Sequence, residues 1–413
     1  MLDSELKLER SALVLVDMQK GFLKTDSPFA RAGLIPSVDG DREELFSNAQ
    51  SLFAAMRKAG RPVVYVNTAF RPDYADCFLS PPWKRCLSEE HFELTEGSES
   101  AAVIDELRPQ EGDFIIVKKG HSAFQHTYLD RILSSLNVDT GVFAGNILGS
   151  MDETLRQGAA LGYENILVTD ASYPLRSPHP KSLVKRAFIV NTSETLSWIE
   201  GSKRSVSGEV AIRPCLIIVD VQNISIHPKG LNHRLGFTSV TDEEREEIVR
   251  NNLKLAGAMR AKGLPVIYIK STRGRDALVD TASGLMERRL WKIPPGTEFR
   301  VDGTWDVEIL DEIKPQSGDY VVYKRGHSAF GTTHLHRMLR NLGVNLLLIS
   351  GGSVVGCVSD STREGIGLGY REIVVADATY PPNKRAIGLP ALASRTEVLS
   401  TENVLTKLAQ GDW

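Results

Sequence analysis

The stretch Lys118-Lys-Gly-His-Ser-Ala-Phe124 returns almost unchanged as Lys324-Arg-Gly-His-Ser-Ala-Phe330, an offset of 324 − 118 = 206 residues. Upstream, Leu13-Val-Leu-Val-Asp17-Met-Gln19 is matched by Leu216-Ile-Ile-Val-Asp220-Val-Gln222 at an offset of 203. Downstream, Asp170-Ala-Ser-Tyr-Pro174 is matched by Asp377-Ala-Thr-Tyr-Pro381 at an offset of 207. An offset that drifts so little across a whole half means a duplicated domain with small loop insertions. The 413 residues therefore divide into two domains, each of a size that buries one core. The expected boundaries are 1–203 and 211–413, parted by the polar, linker-like Gly201-Ser-Lys-Arg-Ser-Val-Ser-Gly208.

Within each half, short apolar runs alternate with helical patterns. Strands are expected at Ala12–Val16, Pro62–Asn67, Phe114–Val117, Val142–Ala144 and Ile166–Thr169. Their counterparts are Cys215–Val219, Pro265–Ile269, Tyr320–Tyr323, Leu346–Ile349 and Ile373–Ala376. Each is short and lacks polar alternation, and most are rich in Val and Ile, as in a parallel strand buried on both faces. Helical patterns such as Glu243–Lys262 and His334–Leu342 lie between them. The expected fold class is α/β: two tandem doubly wound, Rossmann-like parallel sheets flanked by helices.

Hydrophobic residues at 42% and charged residues at 24% are ordinary for a soluble globular protein. A net charge of −3 gives no reason to expect nucleic acid or an anionic membrane as partner, and Lys181, Lys185 and Arg186 read as a solvated helix face. No apolar run is long enough to cross a bilayer, and Met1–Arg10 is charged and mixed, so no cleaved secretory signal is expected. Four cysteines, Cys77, Cys86, Cys215 and Cys357, form neither a disulfide framework nor a zinc motif. A reduced, cytoplasmic protein without cofactor is expected.

In open parallel sheets, ligands bind beyond the carboxyl ends of the strands. Three side chains of the second half converge on that edge: Asp220 and Lys324, each ending a strand, and Cys357. The cysteine follows Ser350-Gly-Gly-Ser-Val-Val-Gly356, in or near the first turn of a helix. Alone, the Asp reads as a turn residue, the Lys as solvated and the Cys as packing. Together, in this order, they point to a nucleophilic site. A helix N-terminus and a nearby ammonium are expected to lower the thiol pKa, and a carboxylate can carry its proton to a leaving amine. Gly351, Gly352 and Ser353 allow close backbone approach, and N–H groups there and at Cys357 are candidates to hold an oxyanion.

The second half resembles the isochorismatase-like hydrolase superfamily, the cysteine hydrolases, which includes amidohydrolases, nicotinamidases and isochorismatases. The motifs are Val219-Asp220-x-Gln222, Lys324-x-x-x-Ser328-Ala-Phe330, Gly351 followed by Cys357, and Gly369-Tyr370 before a strand and Asp377-Ala378. The resemblance covers nearly the whole half. It implies Asp220 as general base and acid, Lys324 as support for thiolate and transition state, and Cys357 as nucleophile. It also implies a cis peptide at Gly352–Ser353 that aims the oxyanion-hole N–H.

The first half resembles the same family but carries Ser150 at the nucleophile position, while Asp17 and Lys118 remain. A hydroxyl is a far weaker nucleophile than a thiolate. The expected reading is a degenerate copy; an acid-only site using Asp17, serine-based hydrolysis or ligand binding stay open. His121 recurs as His327 and reads as shared scaffold. In the second half Ser225 replaces the aromatic of the family, which the first half keeps as Phe22. Neither half has the Asp-x-His metal ligands of nicotinamidases after its second strand, so no metal is expected.

Arg273 and Arg275 follow the second strand of the second half and are candidates to grip a carboxylate. Trp291 and Trp305 are candidates for the pocket wall. The expected function is hydrolysis of a small amide or ureido C–N bond through a Cys357 thioester. Two alternatives stand beside it: an isochorismatase-type vinyl-ether hydrolase with Asp as acid, and a non-catalytic binding or scaffold paralogue. The expected partner is a small-molecule substrate. The fusion is expected to act as an intramolecular pseudo-dimer, with further homo-oligomerisation open.

Overall fold

The computed structural model describes residues 6–24, 40–79, 87, 94–175, 186–202, 212–237, 240–274, 293–294 and 296–413. The chain divides into two compact units, Met1–Val210 and Ala211–Trp413.

The first unit carries strands β1 (Ser11–Val16), β2 (Val63–Thr68), β3 (Phe114–Lys118), β4 (Thr140–Gly145), β5 (Glu164–Val168) and β6 (Phe188–Val190). The second carries β7 (Pro214–Val219), β8 (Val266–Ser271), β9 (Tyr320–Lys324), β10 (Leu346–Gly352), β11 (Arg371–Tyr380) and β12 (Glu397–Leu399). The sheets are ordered β3-β2-β1-β4-β5-β6 and β9-β8-β7-β10-β11-β12, and every pair is parallel. Two tandem doubly wound α/β sheets are thus present. The three-residue strands β6 and β12 are additions to the sequence reading, because so short a run shows no periodicity.

Alternation along each central strand feeds two core layers. In β1, Leu13 and Leu15 face the core that includes the Arg42–Lys58 helix, whereas Ala12, Val14 and Val16 face the core of the Leu129–Ser135 and Asp152–Leu161 helices. In β7, Leu216 and Ile218 pack toward the Asp242–Ala261 helix, and Cys215, Ile217 and Val219 toward the opposite layer. A capping box at Thr241 and Glu244 starts that long helix. Strands β3 and β9 depart from the expectation of burial on both faces: Ile115 is 59% and Tyr323 54% exposed. Both strands lie at a sheet edge, where part of one face stays open. Among the described residues no helix is long and apolar enough to cross a membrane.

Candidate active site

Strand order reverses between β1 and β4, and again between β7 and β10, which opens a crevice at the carboxyl end of each sheet. Asp17 and Asp220 leave β1 and β7 at this point with left-handed φ angles of 58° and 52°. Such a backbone is uncommon for a non-glycine residue and turns the carboxylate across the strand ends. Beside Asp220, Gly351 has φ 88°, and a Cβ there would lie 2.1 Å from the Val219 carbonyl oxygen. Glycine alone lets β10 come this close to β7. The next peptide, Gly352–Ser353, is cis.

The loop closes on itself through the Ser353 carbonyl, which accepts the N–H groups of Gly356 and Val358. Cys357 is then the first residue of the Cys357–Gly367 helix. Lys324 ends β9 and is fully buried. Its ammonium lies 2.9 Å from the Asp220 carboxylate and donates to the carbonyls of Gly326 (3.1 Å) and His327 (2.8 Å). The Tyr380 hydroxyl donates to the backbone carbonyl of Asp220 at 2.5 Å. Asp220, Gly356 and Cys357 all line one cavity of about 570 Å³, into which Ser225 also opens.

The electrostatics correct one expectation. Burial pushes the Cys357 thiol up; Lys324 and Arg300 oppose it, the Asp220 carboxylate adds to it, and the pKa reaches about 11. The resting group is a thiol, not the thiolate expected from a helix N-terminus. Desolvation outweighs the ammonium and the guanidinium beside the thiol. For Lys324 burial also works against the charge, but the Asp220 carboxylate and the Cys357 sulfur prevail and its pKa is raised.

The first unit brings Asp17, Lys118 and Ser150 together in the same way. Ser150 Oγ donates to Asp17 at 2.7 Å, and Lys118 Nζ lies 3.0 Å from Asp17 and 3.2 Å from Ser150 Oγ. Thr68 Oγ1 accepts from Lys118 and donates to Asp17, both at 2.7 Å. The adjoining cavity is about 30 Å³, room for about one water, and is lined by Phe22, Leu79, Leu87 and Leu94. His121 lies at its wall with a pKa lowered by burial and then by Lys118.

Of the substrate-wall candidates, Arg273 lines the larger cavity and is buried. Arg275 and Trp291 lie outside the described residues. Trp305 is 48% exposed, stacks edge-on against His227 and is absent from the cavity wall. Its apolar neighbours in sequence are taken up by the core below, and the indole stays at the surface. Arg300 and Phe237 were missed and line the cavity. The repeat itself holds the signal for Arg300, since Ile104-Asp-Glu-Leu-Arg-Pro109 aligns with Leu310-Asp-Glu-Ile-Lys-Pro315 at offset 206, which sets Arg300 on Leu94. Among the described residues, no group of three His, Cys, Asp or Glu side chains is arranged to hold a metal ion.

The isochorismatase domain model matches the chain twice, over residues 11–191 and 214–402. A ureidoacrylate amidohydrolase RutB of Methylobacterium radiotolerans is 32% identical over 190 residues, covering 43% of this chain and 71% of that protein. An N-carbamoylsarcosine amidase of Arthrobacter sp is 33% identical over 165 residues, 39% of this chain and 57% of that protein. Among solved structures, a cysteine hydrolase of Pseudomonas syringae pv. phaseolicola matches 49% of this chain and 98% of its own at 24% identity, with a TM-score of 0.42.

Proposed function

The chain belongs to the isochorismatase family through both of its halves, and from that premise we propose that its C-terminal half is an amidohydrolase cleaving a small amide or ureido C–N bond. Cys357 is the nucleophile, Asp220 the proton carrier and Lys324 the fixed cation. The observation that carries this reading is the shared crevice: Asp220 lies 2.9 Å from the Lys324 ammonium and lines the wall of one open cavity together with Cys357.

As Sγ attacks the substrate carbonyl, its proton passes to Asp220 and the carbonyl π pair moves onto oxygen. The Cys357 N–H, first of its helix, and the Gly352–Ser353 loop hold the oxyanion. Collapse breaks the C–N bond, and Asp220 returns the proton to the leaving nitrogen. Water then attacks the thioester, giving a proton to Asp220, and the C–S bond breaks as the sulfur takes that proton back. Lys324 pairs with the Asp220 carboxylate and offsets charge as it develops. A proton held on sulfur until the substrate arrives suits this sequence, because the thiol and its base line the same cavity.

The N-terminal half is the non-hydrolytic copy. Ser150 lacks the thiol, Thr68 closes a ring of hydrogen bonds around Asp17 and Lys118, and a cavity of about 30 Å³ admits no amide.

Incubation of the wild-type chain with a panel of small amides and ureido compounds, read by intact mass, is expected to trap an acyl adduct on Cys357. Hydrolysis that survives Cys357→Ala sinks the reading and turns attention to acid chemistry at Asp220.

A further inference from the structure

Asn232 lines the C-terminal cavity at 4% exposure, and among the described residues no hydrogen-bond donor meets its side-chain oxygen. Other buried amides of this unit serve the backbone. Gln222 donates to the carbonyls of Ser271 and Val307, Asn223 to that of Trp305, Asn251 to that of Asp377, and Asn252 to those of Ile248 and Ala378. Those four fasten one segment to another. The Asn232 oxygen is taken out of water without a donor, which destabilises the fold instead.

The segment that carries this amide is firmly anchored. Asn232 belongs to the four-residue helix Leu231–Arg234, which follows the Asn223–Ile226 helix just after Asp220. Gly230 lets the two approach: a Cβ there would lie 2.0 Å from the Asn223 carbonyl oxygen. The Leu231 N–H donates to the Asp306 carboxylate at 3.1 Å, and the Asn232 carbonyl accepts the Phe237 N–H at 2.8 Å. Leu231 itself packs with Ile224, Ile293 and Phe299. An amide on a backbone held this way is placed before any ligand arrives, so little ordering is lost on binding.

We propose that Asn232 is a specificity-determining residue of the C-terminal site. Its Oδ1 accepts an N–H of the substrate's amide or ureido group, so compounds with a hydrogen on that nitrogen are taken and fully substituted ones are refused. The donor is neutral. An ammonium would leave water for one uncharged oxygen, in a wall that also carries Arg273 and Arg300, joined by the Arg273 N–H to the Arg300 carbonyl at 2.7 Å. A carboxylate has no hydrogen to give. The asparagine carboxamide carries two N–H donors beside its acceptor, and a primary amide or ureido group presents the same set reversed, so the two can pair side by side. This hydrogen bond rests on the amidohydrolase reading for the kind of compound that donates it, but not for the unmet acceptor.

The test is calorimetry on the full-length Cys357→Ser chain. Butyramide is compared with N,N-dimethylbutyramide, and N,N-dimethylurea with tetramethylurea. At least one N–H compound is expected to bind about fivefold or more tighter than its methylated partner, the scale of one hydrogen bond. Adding Asn232→Leu, close in volume and without polar atoms, is expected to bring the pair within about twofold. The same change is expected not to lower the denaturant midpoint of the full chain, since it removes an oxygen that lacks a donor; a structural asparagine would lower it. Should Asn232→Leu fail to fold, Asn232→Ala carries the binding comparison. A set in which no pair is separated, including one in which nothing binds, overturns the assignment, as does a preference that survives the variant or a midpoint that falls in Asn232→Leu. Acylation of Cys357 in the otherwise unaltered chain is scored separately. An adduct without N–H preference removes the role of Asn232 and leaves the hydrolase; a preference erased by the variant, without adduct or turnover, does the reverse.

Discussion

Ser225 stands where Phe22 stands in the first half, each the third residue of the four-residue helix that follows the strand-end aspartate. Phe22 helps to fill a cavity of about 30 Å³, and Ser225 opens onto one of about 570 Å³. The exchange removes an aromatic ring from the floor of the crevice. Ser225→Phe is expected to put it back, lowering kcat/KM by tenfold or more chiefly through KM. Steady-state kinetics, with the rate of Cys357 alkylation by iodoacetamide as a measure of access, checks this. Unchanged values for both would show that the ring turns elsewhere.

The proton on Cys357 makes a prediction about pH. With the thiol pushed up to about 11, the thiolate fraction rises about tenfold per pH unit across the neutral range. Alkylation of Cys357 should therefore keep accelerating to about pH 10, without the plateau that an ordinary thiol shows from about pH 9. Asp220 raises the thiol pKa, so Asp220→Asn should speed alkylation at pH 7 while abolishing amide hydrolysis. Lys324 lowers it, so Lys324→Met should slow both. A plateau below pH 9 in the wild type contradicts this account.

Ser150 offers a test of the first half. Ser150→Ala is expected to leave kcat/KM within about twofold of the wild type. Ser150→Cys in a Cys357→Ala background is expected to stay inactive, since the new thiol would face a cavity that holds about one water. Turnover by the double variant would show that the first half opens in solution.

Glu372, at the start of β11, is buried at 5% exposure, and burial raises its pKa well above the ordinary carboxylate value. One of its carboxyl oxygens lies 1.9 Å from where a Cβ on Gly365 would sit, so the acid is lodged against the helix backbone. Its counterpart Asn165 is neutral and donates to the carbonyls of Leu155 and Arg186. A folded-state pKa above the unfolded one means that Glu372 costs nothing below about pH 4 and increasingly destabilises the fold as pH rises. Glu372→Gln should thus stabilise the second unit by about 1–3 kcal/mol at pH 7 and by far less at pH 4. Denaturant unfolding of both proteins at the two pH values measures the difference, and an equal effect at both would remove the protonation argument.

The primary sequence alone determined the duplication and the parallel sheets; the trio Asp220, Lys324 and Cys357 was singled out in it only with the help of a family resemblance. Those features are written locally: unbroken apolar runs make strands buried on two faces, and the residue ending each run must lie at the carboxyl edge of the sheet. Tertiary structure decided what surrounds the trio. Arg300 lies 300 − 220 = 80 residues after Asp220, and only the backbone tie to Arg273 brings its charge into the crevice. The protonation of Cys357 was likewise beyond local reading, because the helix start that should lower its pKa is visible in sequence and the burial that raises it is not. Cavity size followed the same rule: Phe22, Leu87 and Leu94 are scattered in the chain and line one small cavity with Asp17 only in the fold. Periodicity is a property of neighbours along the chain; desolvation and charge proximity are properties of neighbours in space.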